Sequence, residues 1–199
     1  MRFVASIMVI LYFAALTGCG SGGSGSGSAT DAAPSNNTDN VATGPGDTAG
    51  SATGTTGVDD IRDDMLTAIN QARSVGRMCG TVSYGAAAPV TWNDKIATAA
   101  FKHSNDMAAN GFLSHTGSDG SLTGDRLVRD GYVWSIYGEN IAVGYSSVAA
   151  VVQGWLGSED HCANIMNPAF HEIGAAYAKG AYQSSPSKTF WTLDLASTQ

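Results

Sequence analysis

Residues 93–117, NDKIATAAFKHSNDMAANGFLSHTG, hold the pattern on which the fold turns. Asn93 is a good N-cap, Ile96, Ala99, Ala100, His103 and Met107 recur at helical spacing on one face, and Gly111 is a stop signal. The spacing predicts a helix from Asn93 to just before Gly111, with an apolar stripe against a core. His103 lies on that stripe, where a hydrogen-bonded core histidine is the expected role. His115 follows in the polar loop Ser114-His115-Thr116-Gly117, and such loops on a rigid scaffold are where sites are usually built.

Upstream, Ile61, Met65, Ile69 and Ala72 recur at helical spacing, with Asp59 and Asp60 at the start and Arg73 and Arg77 near the end. That pattern predicts a helix of about four turns. Downstream, a short helix is expected over Leu122 to Asp130 and another over Val148 to Leu156. Ile173 to Tyr177 and Thr189 to Leu195 read as strands joined by a hairpin loop from Gly180 to Ser187, and Gly138 to Gly144 is a third strand. Ser158-Glu159-Asp160-His161-Cys162 is read as a second polar loop carrying a candidate histidine. Helices and a small antiparallel sheet therefore share one core.

The N-terminal part has another character. Arg2 supplies one positive charge, and Phe3 to Leu16 form an apolar run too short and wrongly flanked for a permanent span. It ends in Leu16-Thr17-Gly18-Cys19, which resembles the lipobox of bacterial lipoprotein precursors. Residues 1–18 are expected to be a lipoprotein signal peptide and Cys19 the acylated first residue. Several acyl chains at about 0.8 kcal/mol per buried methylene would hold the protein on a membrane. Residues 19–57 are almost wholly small and polar, which predicts a disordered tether with a reach of roughly 30–35 Å. Residues 58–199 have the length of one domain and contain all four Trp residues.

Net charge is -7, with Lys and Arg scattered rather than clustered, which argues against nucleic acid as a partner. Acylation of Cys19 leaves Cys79 and Cys162 as a pair, and in an exported protein a disulfide between them is favoured. Two buried thiols, or Cys162 as a metal ligand beside His161, are the alternatives. The chain has no His-Glu-x-x-His helix and no Gly-x-Ser-x-Gly elbow.

His103-Ser104-Asn105-Asp106-Met107, Ser114-His115-Thr116, Gly138-Glu139-Asn140-Ile141-Ala142, Trp155 and His161-Cys162-Ala163-Asn164-Ile165-Met166 occur in that order. They are joined by Pro89-Val90-Thr91-Trp92-Asn93, Arg126, Gly131-Tyr132, Asn167-Pro168, Phe170-His171-Glu172-Ile173-Gly174 and Trp191. From about Met65 to Leu195 the chain resembles the CAP superfamily of cysteine-rich secretory, antigen 5 and pathogenesis-related proteins, and is most similar to its bacterial branch. The resemblance implies an α+β fold, a three-layer α-β-α sandwich with a small, mainly antiparallel central sheet. It also implies a cleft in which two histidines and two acids face one another.

By motif the cleft residues are His115, Glu139 and His161. The second-acid position is occupied by Ser158, with Glu159 beside it. Two imidazoles and a carboxylate can hold a divalent cation such as zinc, with His115 and His161 as ligands, or can form a structural hydrogen-bond network. The function implied is an envelope binding module for a lipid, small molecule or extracellular partner. A metal-dependent hydrolase, with Glu139 or Glu159 as base, is the alternative. The lipobox places such a module at the bacterial cell envelope, on the outer membrane or cell surface.

Overall fold

A computed structural model describes residues 57–198. The expected signal peptide, the lipidation site Cys19 and all of the expected tether except Gly57 lie outside the described residues.

A single 3-10 turn, Asp59–Ile61, leads into α1, Arg62–Arg73. Met65, Ile69 and Ala72 form its buried stripe. The stripe does not continue past Ala72: Val75 is 63% exposed and Gly76 follows. The helix therefore stops at Ser74, and Arg77 opens strand β1 (Arg77–Cys79) instead of closing the helix as the sequence suggests. With β2 (Val82–Tyr84), β1 makes a two-stranded hairpin turned at Gly80, whose φ of +58° favours glycine.

The main sheet has the order β3-β5-β6-β4. β3 (Thr91–Trp92) runs parallel to β5 (Glu172–Tyr182), while β6 (Ser185–Ser197) is antiparallel to both β5 and β4 (Ile136–Val143). Strand alternation sorts the side chains into two cores. Ile173, Ala175, Trp191, Leu193 and Leu195 pack with α1, α4 (Val148–Leu156) and α5 (Glu159–Met166). Ala176, Ala178, Phe190 and Ala196 face the other way, toward α2 (Asp94–Asn110) and α3 (Thr123–Arg129). The result is the expected three-layer α-β-α sandwich.

α2 begins and ends as its sequence dictates. Asn93 Oδ1 accepts from Lys95 N at 3.0 Å, and Gly111 closes the helix at φ +67°. Its backbone lies directly on β5, because a Cβ on Gly174 would fall 2.0 Å from Ala97 N. Gly174 thus sets how closely the helix that carries His103 approaches the sheet.

Two local expectations are corrected. The connection expected over Gly180 to Ser187 is mostly strand: β5 and β6 extend to Tyr182 and from Ser185, leaving Gln183 and Ser184 as the turn. Tyr182 and Phe190 pack edge to face, which stabilises the extension, and the register slips between Gly180 and Tyr182 opposite Pro186, a residue with no N–H for the ladder. The segment read as a polar loop before Cys162 is the first turn of α5. Ser158 takes the N-cap position, Glu159 and Asp160 favour the helix N-terminus, and Cys162, Ile165 and Met166 are buried at helical spacing.

Cys79 and Cys162 form a disulfide with a Cα–Cα distance of 5.4 Å, tying β1 to α5. This removes the free-thiol and metal-ligand alternatives for Cys162. Arg73, completely buried, supplies a second tie. Its guanidinium donates to four main-chain carbonyls: Ala88 (2.8 Å), Ile165 (2.7 Å), Asn167 (2.9 Å) and Phe170 (3.1 Å).

Candidate functional site

Glu139 points from edge strand β4 toward the α2 and α3 side of the sheet and is 6% exposed. Its Oε1 lies 2.7 Å from His115 Nδ1, and its Oε2 accepts from Arg126 Nη2 at 2.5 Å. Arg126, on α3, is buried and reaches three other groups: Ser121 O (2.9 Å), His115 O (3.2 Å) and Thr123 Oγ1 (3.0 Å). One guanidinium therefore holds the loop after α2, the start of α3 and the strand in a fixed relation.

Burial pushes the Glu139 carboxyl up. The His115 hydrogen bond and the charge of Arg126, with any positive charge on the two histidines, outweigh it and hold the group below its ordinary value. An ionised carboxylate only accepts, so His115 Nδ1 carries the proton donated to Glu139. With the side chain 57% exposed, His115 presents Nε2 outward as an oriented hydrogen-bonding group.

His103 is the buried histidine its helical position predicts, at 1% exposure, with Nε2 donating to Ser114 O at 2.9 Å. It is also more than a packing residue, because Nε2 lies 3.9 Å from Glu139 Oε1. Burial is the largest influence on it and lowers its pKa, so the ring stays neutral.

The sequence reading missed one member of the cluster. Asp194 is fully buried, pairs across the strands with Glu139, and has no hydrogen-bond partner on either oxygen. Its signal was present: in Thr192-Leu193-Asp194-Leu195 an acid sits on an inward face of a strand with both neighbours apolar. Burial, and then the Glu139 carboxylate, push Asp194 well above the carboxylate range.

A pH dependence follows. Because the folded value is raised, the contribution of Asp194 to stability is fully present below the unfolded value near 4 and is lost as pH rises through the folded one. Asp194→Asn should therefore stabilise the protein at pH 8, on the order of 1 kcal/mol, with little gain at pH 4. Urea midpoints of the two proteins at both pH values check this. A variant equally destabilised at both would contradict it.

The remaining candidates are carried by α5. Asn140, the next residue on β4, points to the opposite face. Its Nδ2 donates to His161 O at 3.0 Å, and Asn164 Nδ2 donates to Asn140 Oδ1 at 2.9 Å and Glu139 O at 3.2 Å. His161, half-buried, thus belongs to a helix tied to β4 through Asn140 and through the Glu139 main chain. Ser158 is the N-cap of α5, and the exposed Glu159 lies over Gly80, where an added Cβ would come within 2.2 Å of Glu159 Oε2.

The Glu139 carboxylate is not free to take a divalent cation. Both Glu139 oxygens are engaged, one of them by a buried guanidinium whose fixed positive charge opposes a second cation. Among the described residues no group of three or more His, Cys, Asp or Glu side chains is gathered as a metal site requires. The chemistry the arrangement supports is recognition by His115 Nε2, held by a charge-compensated base.

Residues 66–195 match the family described as the Cysteine-rich secretory protein family, abbreviated CAP. The chain is 34% identical over 95 residues to the membrane protein YlbC of Bacillus subtilis (strain 168), covering 48% of this chain and 28% of that one. It is 31% identical over 91 residues to YkwD of the same organism, covering 46% and 35%. The match therefore spans well under half the length of these relatives.

Among solved structures, an outer surface protein from Borrelia burgdorferi aligns with a TM-score of 0.51 and 16% identity. That alignment covers 72% of this chain and 98% of that one, a likeness of fold. An extracellular SCP-domain protein from Bacillus anthracis str. Ames is 34% identical, with a TM-score of 0.47, covering 55% and 34%.

Proposed function

Because the chain belongs to the cysteine-rich secretory protein family, we propose that it is an exported, lipid-anchored binding module of the cell envelope. It takes a lipid, a small molecule or an extracellular partner at the cleft marked by His115. The observation that carries this reading is the pairing of an exposed, oriented imidazole with a buried carboxylate already neutralised by Arg126. Such a group offers a preorganised hydrogen bond to a ligand at small entropic cost, because the loop that bears it is held by the same guanidinium. A hydrolase needs in addition a nucleophile or a metal-bound water, and the donor set around Glu139 favours neither. The lipobox at Cys19 supports the anchor, and the description of YlbC as a membrane protein agrees with it.

The test uses the full chain purified from membranes without chelator. Solvent extraction and mass spectrometry should find a retained small molecule or lipid, reduced about tenfold in His115→Ala, as expected for loss of an oriented hydrogen bond. Retention unchanged in that variant would move the site elsewhere. Near-stoichiometric zinc in the parent, absent from a His115→Ala, His161→Ala variant and accompanied by ester or peptide hydrolysis, would replace the binding module with the hydrolase. Separately, Cys19→Ala should release the chain from the membrane fraction.

A further inference from the structure

Eight large apolar side chains are exposed among the described residues, and five of them fall within residues 122–136: Leu122, Val128, Val133, Trp134 and Ile136. The proposed function uses none of them. Their placement follows from α3. Trp134 Nε1 donates to Gly124 O at 3.0 Å, and the ring lies so close over the helix that a Cβ on Gly124 would fall 2.9 Å from Trp134 Cζ2. Val128, 58% exposed, is one helical turn beyond Gly124 on the same side of α3. Val133, 74% exposed, precedes Trp134 in the chain, and Trp134 meets the Tyr137 ring edge to face at 4.6 Å where β4 begins. Val128, Val133 and Trp134 thus form one exposed face at an end of the sheet. The N-cap Leu122 and the first β4 residue, Ile136, flank it.

This face is prepared for an apolar neighbour. Residues 131–138, GYVWSIYG, contain no charge. Several of their polar groups are bonded within the protein: Gly131 N to Val128 O, Tyr132 N to Leu127 O, Ser135 N to Ser197 O and the Tyr132 hydroxyl to Glu172. The charges on and beside α3 are engaged as well, Arg129 with Asp119, Lys102 with Asp130, and Asp125 with Leu122 N. Covering the face therefore buries few unpaired polar groups, and an apolar environment there costs little.

The chain before the domain argues for what covers it. Gly57 O accepts from Tyr177 N at 3.1 Å, midway along β5. In the strand registers Tyr177 stands opposite Trp191 and Ile136 opposite Ser197, so the face lies two strands across and six residues along from Gly57, roughly 20–25 Å away. The reach expected of the tether from Cys19, roughly 30–35 Å, exceeds that span. A chain anchored at Cys19 can therefore turn this face to the bilayer that holds it, where tethering keeps the effective concentration high. An exposed indole among aliphatic side chains is also what a lipid interface favours. With a net charge of -7, a zwitterionic surface suits the protein better than an anionic one.

We propose that the face formed by Val128, Val133 and Trp134 rests on the zwitterionic lipid surface of the membrane that anchors the protein. The inference rests on the proposed anchor at Cys19 and is independent of the His115 cleft.

The experiment reconstitutes the full acylated chain in phosphatidylcholine vesicles whose acyl chains carry bromine, a quencher of tryptophan fluorescence, and reads flotation with the vesicles alongside. The parent should float and lose the Trp134 part of its emission relative to vesicles without bromine. Trp134→Phe should float without that loss. So should Val128→Glu, Val133→Glu, which sets two charges at exposed positions and should keep the parent's circular dichroism. A parent that floats unquenched would overturn the lipid contact, and cross-linked dimers absent from the double variant would then give the face to a second copy. A parent that does not float would overturn the anchor and this contact together. Quenching that persists in Trp134→Phe or in the folded double variant would overturn the assignment to this face.

Discussion

Replacing Arg73 by methionine is expected to lower the free energy of unfolding by about 4 kcal/mol, a loss that a domain of ordinary stability barely survives. Arg73 is buried in an apolar setting, and desolvation lowers its pKa. Its four hydrogen bonds all go to main-chain carbonyls. Two of these carbonyls, Ile165 and Asn167, belong to the end of α5; Ala88 precedes β3 and Phe170 precedes β5.

Methionine fills most of the volume but strands the buried Ile165 and Phe170 carbonyls away from water, at about 1–3 kcal/mol apiece, and also removes the part-buried bonds to Ala88 and Asn167. Arg73→Lys should recover about half the loss, because an ammonium has three donors and lacks the planar fork. Urea denaturation of the full chain at pH 7, followed by circular dichroism, checks both. A loss below about 1.5 kcal/mol for Arg73→Met would show that these carbonyls find other partners, and the claim that Arg73 organises the α5 end would fall.

Loss of the Cys79–Cys162 disulfide should cost a similar amount. The two residues are 83 apart in sequence, and on the chain-entropy account closing that loop in the unfolded chain is worth about 4 kcal/mol. The bridge joins the β1 strand to the first half of α5, whose other end is held by Arg73, so it also fixes the helix that carries His161. A Cys79→Ala, Cys162→Ala variant should unfold at a markedly lower denaturant concentration, and the parent with reductant should move toward it. Alkylation of the unfolded, unreduced parent should label neither cysteine. Two labelled thiols, or equal midpoints with and without reductant, would contradict the bridge.

The glutamate and histidine of the cleft were readable from local motifs, while their relation was not. His115 and Glu139 are 24 residues apart, and the pair was expected from motif order. Arg126 appeared in the sequence only as a residue accompanying the motifs, and Asp194 not at all, because its importance comes from the cross-strand register that sets it opposite Glu139. His161 was legible as a histidine near Cys162 but was assigned to the wrong local structure. Three buried positions, Cys162, Ile165 and Met166, make too short a stripe to outweigh the polar run before them. The β1–β2 hairpin and β3 are three or two residues long and escaped periodicity altogether.

Signals of short range were therefore enough for the elements whose stability is local: the capped, glycine-stopped α2, the apolar α4, the strand cores and the choice of partner for Cys79. The three layers also followed, from the ordered motifs that tie the chain to its family. Distances between groups far apart in sequence required the folded molecule. Whether Glu139 meets Arg126, and whether Asp194 keeps its proton, depend on register and on strand alternation, in which one residue of offset turns a side chain to the other side of the sheet.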